Sequence, residues 1–246
     1  MIPYINWTTI EIGPITLRVW GLFVALGFLF GAYMAGRMAK SHGDDPKIIY
    51  DLTFWLMLAG LVGGRVGHIL LYDPAPYITD PLSILRIWEG GLSVYGGFIA
   101  CAIVGITYLR KHQVDVHRYT DYCLFGLPFG YAIGRIGCFF IHDHPGTATS
   151  FILGVKYPDG TVRHDLGLYL SIQAGILALI FLWISRKPRP EGAYIAGFCL
   201  WYGVMRFFLD YLRLIDVRYW GLTPGQYLSL VLIGVGLWQF SKIRNK

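Results

Sequence analysis

The chain has 246 residues, of which 55% are hydrophobic and only 15% are charged. Soluble domains have about 25% charged residues, so this composition indicates an integral membrane protein. The formal charge of +6 does not indicate nucleic-acid binding, because the basic residues lie between apolar runs and form no patch interleaved with aromatic residues. The four cysteines lie in apolar stretches without CxxC spacing, which argues against a zinc site or a disulfide framework.

Seven apolar stretches are long enough to cross a bilayer, since a helical span needs about 20 residues. In chain order they are 15–37, 49–72, 91–109, 119–141, 168–185, 192–212 and 224–241. The first fifteen residues contain Glu11 and no Lys or Arg, so we expect no cleavable signal peptide and a first span that is retained. The predicted fold is an all-α polytopic membrane protein, a single domain over residues 1–246 with seven transmembrane helices.

The basic residues predict the orientation of the chain. Twelve of the 21 Lys and Arg lie in alternate loops and at the C-terminus, and five lie on the opposite side. The positive-inside rule then places the N-terminus outside and the C-terminus in the cytoplasm. The longest outside segment, about 142–168, contains a Pro158-Asp159-Gly160 turn between two short runs typical of strands. We expect this insert to form a small external cap with a β-hairpin.

The remaining four basic residues, Arg18, Arg65, Arg135 and Arg206, lie within the predicted spans. There an uncompensated guanidinium costs about 2.5–3.5 kcal/mol. The last three lie six or seven residues inside the predicted outer ends, about 10 Å at about 1.5 Å per residue. A guanidinium fork matches a phosphate group, so we predict an outer-leaflet phospholipid headgroup as ligand. Arg18 lies near the start of its span and could instead reach the interface.

The sixth predicted span has a polar face. Tyr202, Arg206, Asp210 and Arg213 stand at i, i+4, i+8 and i+11, which places them on one side of a helix. This face could bind the headgroup together with the other arginines. The alternative is a structural ion pair between Arg206 and Asp210 that holds helices together.

A cluster of ionisable residues, His142-Asp143-His144, follows the fourth predicted span. One histidine could carry a proton during catalysis, with Asp143 or Asp165 orienting the imidazole. Two alternatives remain open: a metal site formed by His142, His144 and His164 with a carboxylate, and a polar cap that satisfies loop backbone groups. We favour the proton carrier and expect no metal.

Several motifs in this order and spacing are similar to those of one known family. They are LRVWGL (17–22), DLTFW (51–55), GRVG (64–67), IWEGGLS (87–93), GRIG (134–137), YGVMRF (202–207) and GLTPGQYLS (221–229). On these motifs, which span nearly the whole chain, the sequence resembles the bacterial prolipoprotein diacylglyceryl transferases. That family also has seven spans and an outside N-terminus.

The resemblance implies transfer of a diacylglyceryl group from phosphatidylglycerol to the lipobox cysteine of a prolipoprotein, with release of glycerol phosphate and without a cofactor. It also implies a location in the bacterial inner membrane, with the active site facing the outer leaflet. Arg135 and Arg206 correspond to the family's essential arginines, and we expect Arg65 to support them.

Three stretches depart from the family pattern. Tyr95 stands where the family has a functionally important histidine, and Cys138 replaces its signature asparagine. The family's His-Pro-x-Gln-Leu-Tyr-Glu becomes HDLGLYL at 164–170. These departures leave two other functions open. In the first, the enzyme moves a phospholipid headgroup to another lipid, to a glycan or to water. In the second, the protein binds phospholipid without catalysis.

The predicted site therefore has two parts. The predicted catalytic residues are Arg135, Arg206, His142, Asp143 and His144. The predicted substrate-binding residues are Arg18, Arg65, Tyr95, Cys138, Gly146, His164, Tyr202 and Asp210.

Overall fold

The computed structural model describes residues 1–71, 77, 80–86, 90–214 and 218–245. The predicted span end at Tyr72 and the first three residues of the 87–93 motif lie outside the described residues. Within this part of the chain, seven long helices follow one another: α1 (Val19–Ser41), α2 (Pro46–Leu71), α3 (Val94–Lys111), α4 (Val116–Ile141), α5 (Leu166–Ile184), α6 (Ala193–Leu209) and α7 (Pro224–Arg244).

Five helices of the described residues are long and apolar enough to cross a membrane: α1, α2, α4, α5, and α6 with its 3-10 extension to Leu212. The chain is therefore a mostly helical, multi-pass membrane protein. The predicted spans over α3 and α7 stay predictions.

Contacts between helix ends show that α4 and α6 run in the same direction and that α1 runs in the opposite direction. The hydroxyl of Tyr122, near the start of α4, donates to Asp44 in the loop after α1 at 2.6 Å. The backbone N–H of Ile195, at the start of α6, donates to Asp121 of α4 at 2.8 Å. The end of α1 and the starts of α4 and α6 therefore meet at one end of the bundle, and the arginines near the ends of α4 and α6 lie towards the other.

Short strands cover part of this second end. A four-stranded sheet has the order β1-β5-β6-β4, from β1 (Ile2–Pro3), β4 (Pro145–Ala148), β5 (Val155–Lys156) and β6 (Val162–Asp165). Strands β5 and β6 are antiparallel, and the N–H of Tyr157 donates to the carbonyl of Thr161 at 2.8 Å across their turn. The segment after α4 thus folds back on itself close to the end of that helix.

The predicted start of the first span at residue 15 is wrong. Strand β3 (Ile15–Arg18) pairs with β2 (Thr9–Ile12), and α1 begins only at Val19. Residues 15–18 alternate apolar and polar side chains, which is the period of a strand and not of a helix. The start of the span was predicted from the number of apolar residues alone, which does not distinguish a strand from a helix.

Helices α1 and α4 are packed closely through glycines. A Cβ atom at Gly27 would lie 2.5 Å from the carbonyl oxygen of Gly130, and one at Gly31 would lie 3.3 Å from that of Gly126. Small residues allow such backbone approach between membrane helices. This contact forms one wall of the cavity described below.

We expect Gly27→Ala to destabilise the protein by about 1–3 kcal/mol, because the added methyl group must push α1 away from α4. The measurement is reversible unfolding in mixed micelles. Gly175→Ala in α5 is the matched control, since a Cβ there meets nothing within 4 Å. Equal stability of the two variants would contradict the expectation.

Candidate functional site

A cavity of about 470 Å³ lies between α1, α2 and α4. Its wall runs along α1 from Trp20 to Ala35 and along α4 from Cys123 to Cys138. The ends of each stretch are fifteen residues apart, which is about 22 Å of helix. The cavity is therefore long and follows the helix axes.

The two ends of the cavity differ in chemistry. Arg135, Cys138, Asp143 and His144 line the end near the strands, which we call the mouth. The deep end is lined by apolar groups and small residues, among them Gly31, Ala35, Ile49, Leu56 and Cys123. A ligand that fits this space carries a polar or anionic group at one end and an apolar chain behind it.

Arg135 is held at the mouth by neighbours on its own helix. Its Nη1 donates to the sulfur of Cys138 at 3.8 Å, and its Cζ lies 4.9 Å from the centre of the Tyr131 ring. The Tyr131 ring packs edge-on against Tyr202 of α6, with centroids 5.6 Å apart. Since Tyr202 precedes Arg206 by one helical turn, the two tyrosines connect the arginine of α4 with that of α6.

Arg206 is paired with a fully buried carboxylate. Its Nη2 lies 3.0 Å from Oδ1 of Asp210, and Nη1 of Arg213 lies 3.9 Å from the same oxygen. The other oxygen of Asp210 accepts a short hydrogen bond from the hydroxyl of Thr223. Asp210 has an exposed fraction of 0%. The polar face predicted from the spacing is thus formed, and it contains the ion pair that the sequence left open.

Arg65 is surrounded by backbone carbonyl groups. Its Nε donates to Ile84, its Nη1 to Gly90 and Gly91, and its Nη2 to Ser83 and Arg86, at 2.5–3.3 Å. A guanidinium has five N–H donors, and these five contacts account for all of them. Arg65 thus anchors residues 83–86, 90 and 91, and its predicted role in substrate binding stays a prediction.

His142 is buried outside the cavity. It ends α4 in the left-handed conformation, with φ of 48°. Its Nδ1 lies 2.7 Å from Oδ2 of Asp165, and its ring stacks on Tyr4 at 4.1 Å. The hydroxyl of Tyr157 donates to the same carboxylate oxygen at 3.0 Å. Of the two orienting residues considered from the sequence, the structure thus pairs His142 with Asp165 and not with Asp143.

His144 and Asp143 lie at the mouth. Nδ1 of His144 forms a short hydrogen bond with Oδ1 of Asp143, and both residues line the cavity with Cys138. His164 lies elsewhere, with its Nδ1 2.8 Å from the hydroxyl of Tyr169, and partial burial lowers its pKa. His142 and His164 are each held by other partners, so the structure does not bring together the three histidines considered as metal ligands.

Three other predicted substrate-binding residues lie away from the lining of the cavity as the structure describes it. Tyr95 is in the first turn of α3, with an exposed fraction of 42%. Gly146 is buried and forms a β-bridge with Arg213. Arg18 is exposed at the end of β3.

Two residues of the site, Tyr131 and Thr223, were not predicted from the sequence. Tyr131 lies four residues before Arg135, so the helical period could have indicated their contact. Thr223 caps α7 through a capping box with Gln226, a pattern legible in Thr-Pro-Gly-Gln. Its second role, as donor to Asp210, required the tertiary structure.

The fold and the site together are those of a multi-pass helical membrane protein with a long, mostly apolar cavity and an arginine at its mouth. Residues 8–241 match the family model of the prolipoprotein diacylglyceryl transferases, and the chain belongs to this family. The resemblance found in the motifs is thereby confirmed, and so is the prediction that the protein is an enzyme, a transferase.

Individual relatives cover almost the whole chain. The phosphatidylglycerol–prolipoprotein diacylglyceryl transferase of Solidesulfovibrio magneticus is 34% identical over 254 residues, with 98% of this chain and 95% of the relative covered. Those of Nitrosomonas europaea and Bordetella bronchiseptica are 34% and 33% identical. These alignments cover 96% and 97% of this chain, and 88% and 96% of the respective relatives.

Proposed function

We propose that the protein transfers the diacylglyceryl group of phosphatidylglycerol to the cysteine thiol of a prolipoprotein. The observation that carries this proposal is the cavity, which combines an arginine at its mouth with an apolar depth suited to an acyl chain. The names of the relatives, which pair this lipid with this acceptor, support the same substrates.

In the proposed reaction the acceptor thiolate attacks the glycerol carbon that carries the phosphate. A carbon–sulfur bond forms, the carbon–oxygen bond breaks, and its electron pair leaves with glycerol phosphate. Arg135 binds the phosphate and stabilises the charge that develops on it. Arg206 provides a second cation on the neighbouring helix α6, outside the described lining of the cavity, and Asp210 fixes its position.

His144 is the proposed proton acceptor for the thiol, and Asp143 orients its imidazole through Nδ1. His142 is not a candidate for this role in our proposal, because its ring is buried between Tyr4 and Asp165. We assign it to the attachment of the strands to α4.

The proposed topology follows from the charge distribution. With seven spans the N-terminus lies outside and the C-terminus in the cytoplasm of a bacterial inner membrane. The sheet after α4 then forms a cap on the outer side. The mouth of the cavity faces the outer leaflet, where both a secreted precursor and phosphatidylglycerol are accessible.

The test is to incubate the purified protein with phosphatidylglycerol and a lipobox-cysteine peptide, and to follow peptide mass and lipid products together. A gain of one diacylglyceryl group on the peptide, with release of glycerol phosphate, is expected. An unmodified peptide with altered lipid would assign a different acceptor. An unmodified peptide with intact lipid would contradict the proposal.

His144→Ala and His142→Ala should have different effects. We expect His144→Ala to lower turnover by about 10²-fold with lipid affinity retained, because a general base acts only on the rate. We expect His142→Ala mainly to lower thermal stability, since it leaves the buried Asp165 without its imidazole partner. Turnover, lipid binding and thermal melting of both variants check this, and an unchanged rate in His144→Ala would rule out His144 as the base.

A further inference from the structure

The mouth of the cavity holds three side chains of types that bind metals. Cys138, Asp143 and His144 each offer one ligand atom, and these atoms lie within 4.8 Å of one another. From the sequence we expected no metal and predicted that Cys138 binds substrate. The structure shows that the cysteine and the His-Asp-His segment meet.

The local fold brings the three residues together. Cys138 is buried in the last turn of α4, with an exposed fraction of 6%. His142 then turns the chain in the left-handed conformation, so that Asp143 and His144 return towards that last turn. Asp143 and His144 are partly accessible, with side-chain exposed fractions of 32% and 26%, which leaves a path for an ion.

The donor set selects the kind of ion. Thiolate and imidazole ligands favour Zn²⁺ and similar thiophilic ions, whereas Mg²⁺ and Ca²⁺ require mostly oxygen ligands. A thiolate and a carboxylate together balance the two charges of the ion.

We propose that Cys138, Asp143 and His144 bind a thiophilic divalent cation such as Zn²⁺ at the mouth of the cavity. Three protein ligands leave the fourth position of a tetrahedral ion open to the cavity. The guanidinium of Arg135 repels a dication, so the affinity should be lower than that of a closed four-ligand site. This inference concerns binding and does not rest on the proposed transfer reaction. An ion bound here would occupy His144 and Asp143, so it would block the proton transfer proposed for His144.

The test is a Co²⁺ titration of the full-length, metal-free protein in detergent, without lipid or peptide. Co²⁺ replaces Zn²⁺ in tetrahedral sites and reports thiolate ligation through a charge-transfer absorption. One equivalent of Co²⁺ should produce this band, and added Zn²⁺ should remove it. The absence of the band in the parent protein would overturn the proposal.

Variants assign the ligands. Cys138→Ser should abolish the charge-transfer band, and His144→Gln should weaken Co²⁺ binding by more than tenfold, since even outer-shell changes cost roughly 10–100-fold. Cys123→Ser is the matched control, because this thiol lines the same cavity from the same helix, about 22 Å deeper. A band that persists in Cys138→Ser, or unaltered affinity in a folded His144→Gln protein, would overturn the assignment.

Discussion

Replacing Arg135 by alanine is expected to lower diacylglyceryl transfer by about 10²–10³-fold, the usual cost of removing a group that stabilises charge in the transition state. Arg135 is the guanidinium that lines the cavity, and its position is set by Tyr131 and Cys138. The apolar depth of the cavity would remain, so the variant should still accept an acyl chain. The loss should therefore be larger in the rate than in lipid affinity.

Two further variants sharpen this experiment. Arg135→Lys keeps the charge but loses the planar fork, so its rate should lie between those of the parent and the alanine variant. Arg37→Ala removes an exposed cation of α1 near the opposite end of the bundle and should leave the rate unchanged. Equal rates for the parent and Arg135→Ala would show that the mouth of the cavity does not bind the phosphate.

Replacing Asp210 by alanine is expected to cost about 3–5 kcal/mol of stability, because it leaves the charge of Arg206 without its buried partner. The hydroxyl of Thr223 would also lose its acceptor, which loosens the contact between the end of α6 and the start of α7. Reversible unfolding in mixed micelles measures the loss.

The double variant Arg206→Ala/Asp210→Ala provides the control for this second prediction. It removes both charges, so it should be more stable than Asp210→Ala alone although it lacks one more side chain. Asp159→Ala removes an exposed carboxylate whose ion pair with Arg163 lies on the surface, and it should leave stability almost unchanged. A single variant as stable as the double variant would contradict the role of the ion pair.

The sequence predicted the parts of the fold that follow from apolar length and helical period. The helices containing Arg65, Arg135 and Arg206 lie close to the predicted spans, because long apolar runs in a membrane have few alternatives to a helix. The spacing of Tyr202, Arg206 and Asp210 also predicted a shared polar face. Local patterns were sufficient for these features.

The contacts that depend on distant segments could not be predicted. Arg65 was expected beside the other arginines, but its partners come from residues 18–26 positions later in the chain. The partner of His142, Asp165, lies 23 residues away. Depth in the membrane limits which cations can meet, but it does not determine which of them remain available to a ligand.

The five hydrogen bonds from Arg65 to backbone carbonyls restrict local unfolding in this part of the protein. A carbonyl group buried in a membrane protein needs a donor, and here one side chain supplies donors to five of them. Residues 83–86, 90 and 91 therefore cannot detach one at a time without leaving N–H groups of the guanidinium unpaired. These residues and the part of α2 around Arg65 should form a single cooperative unit in native-state hydrogen exchange, with one common opening free energy.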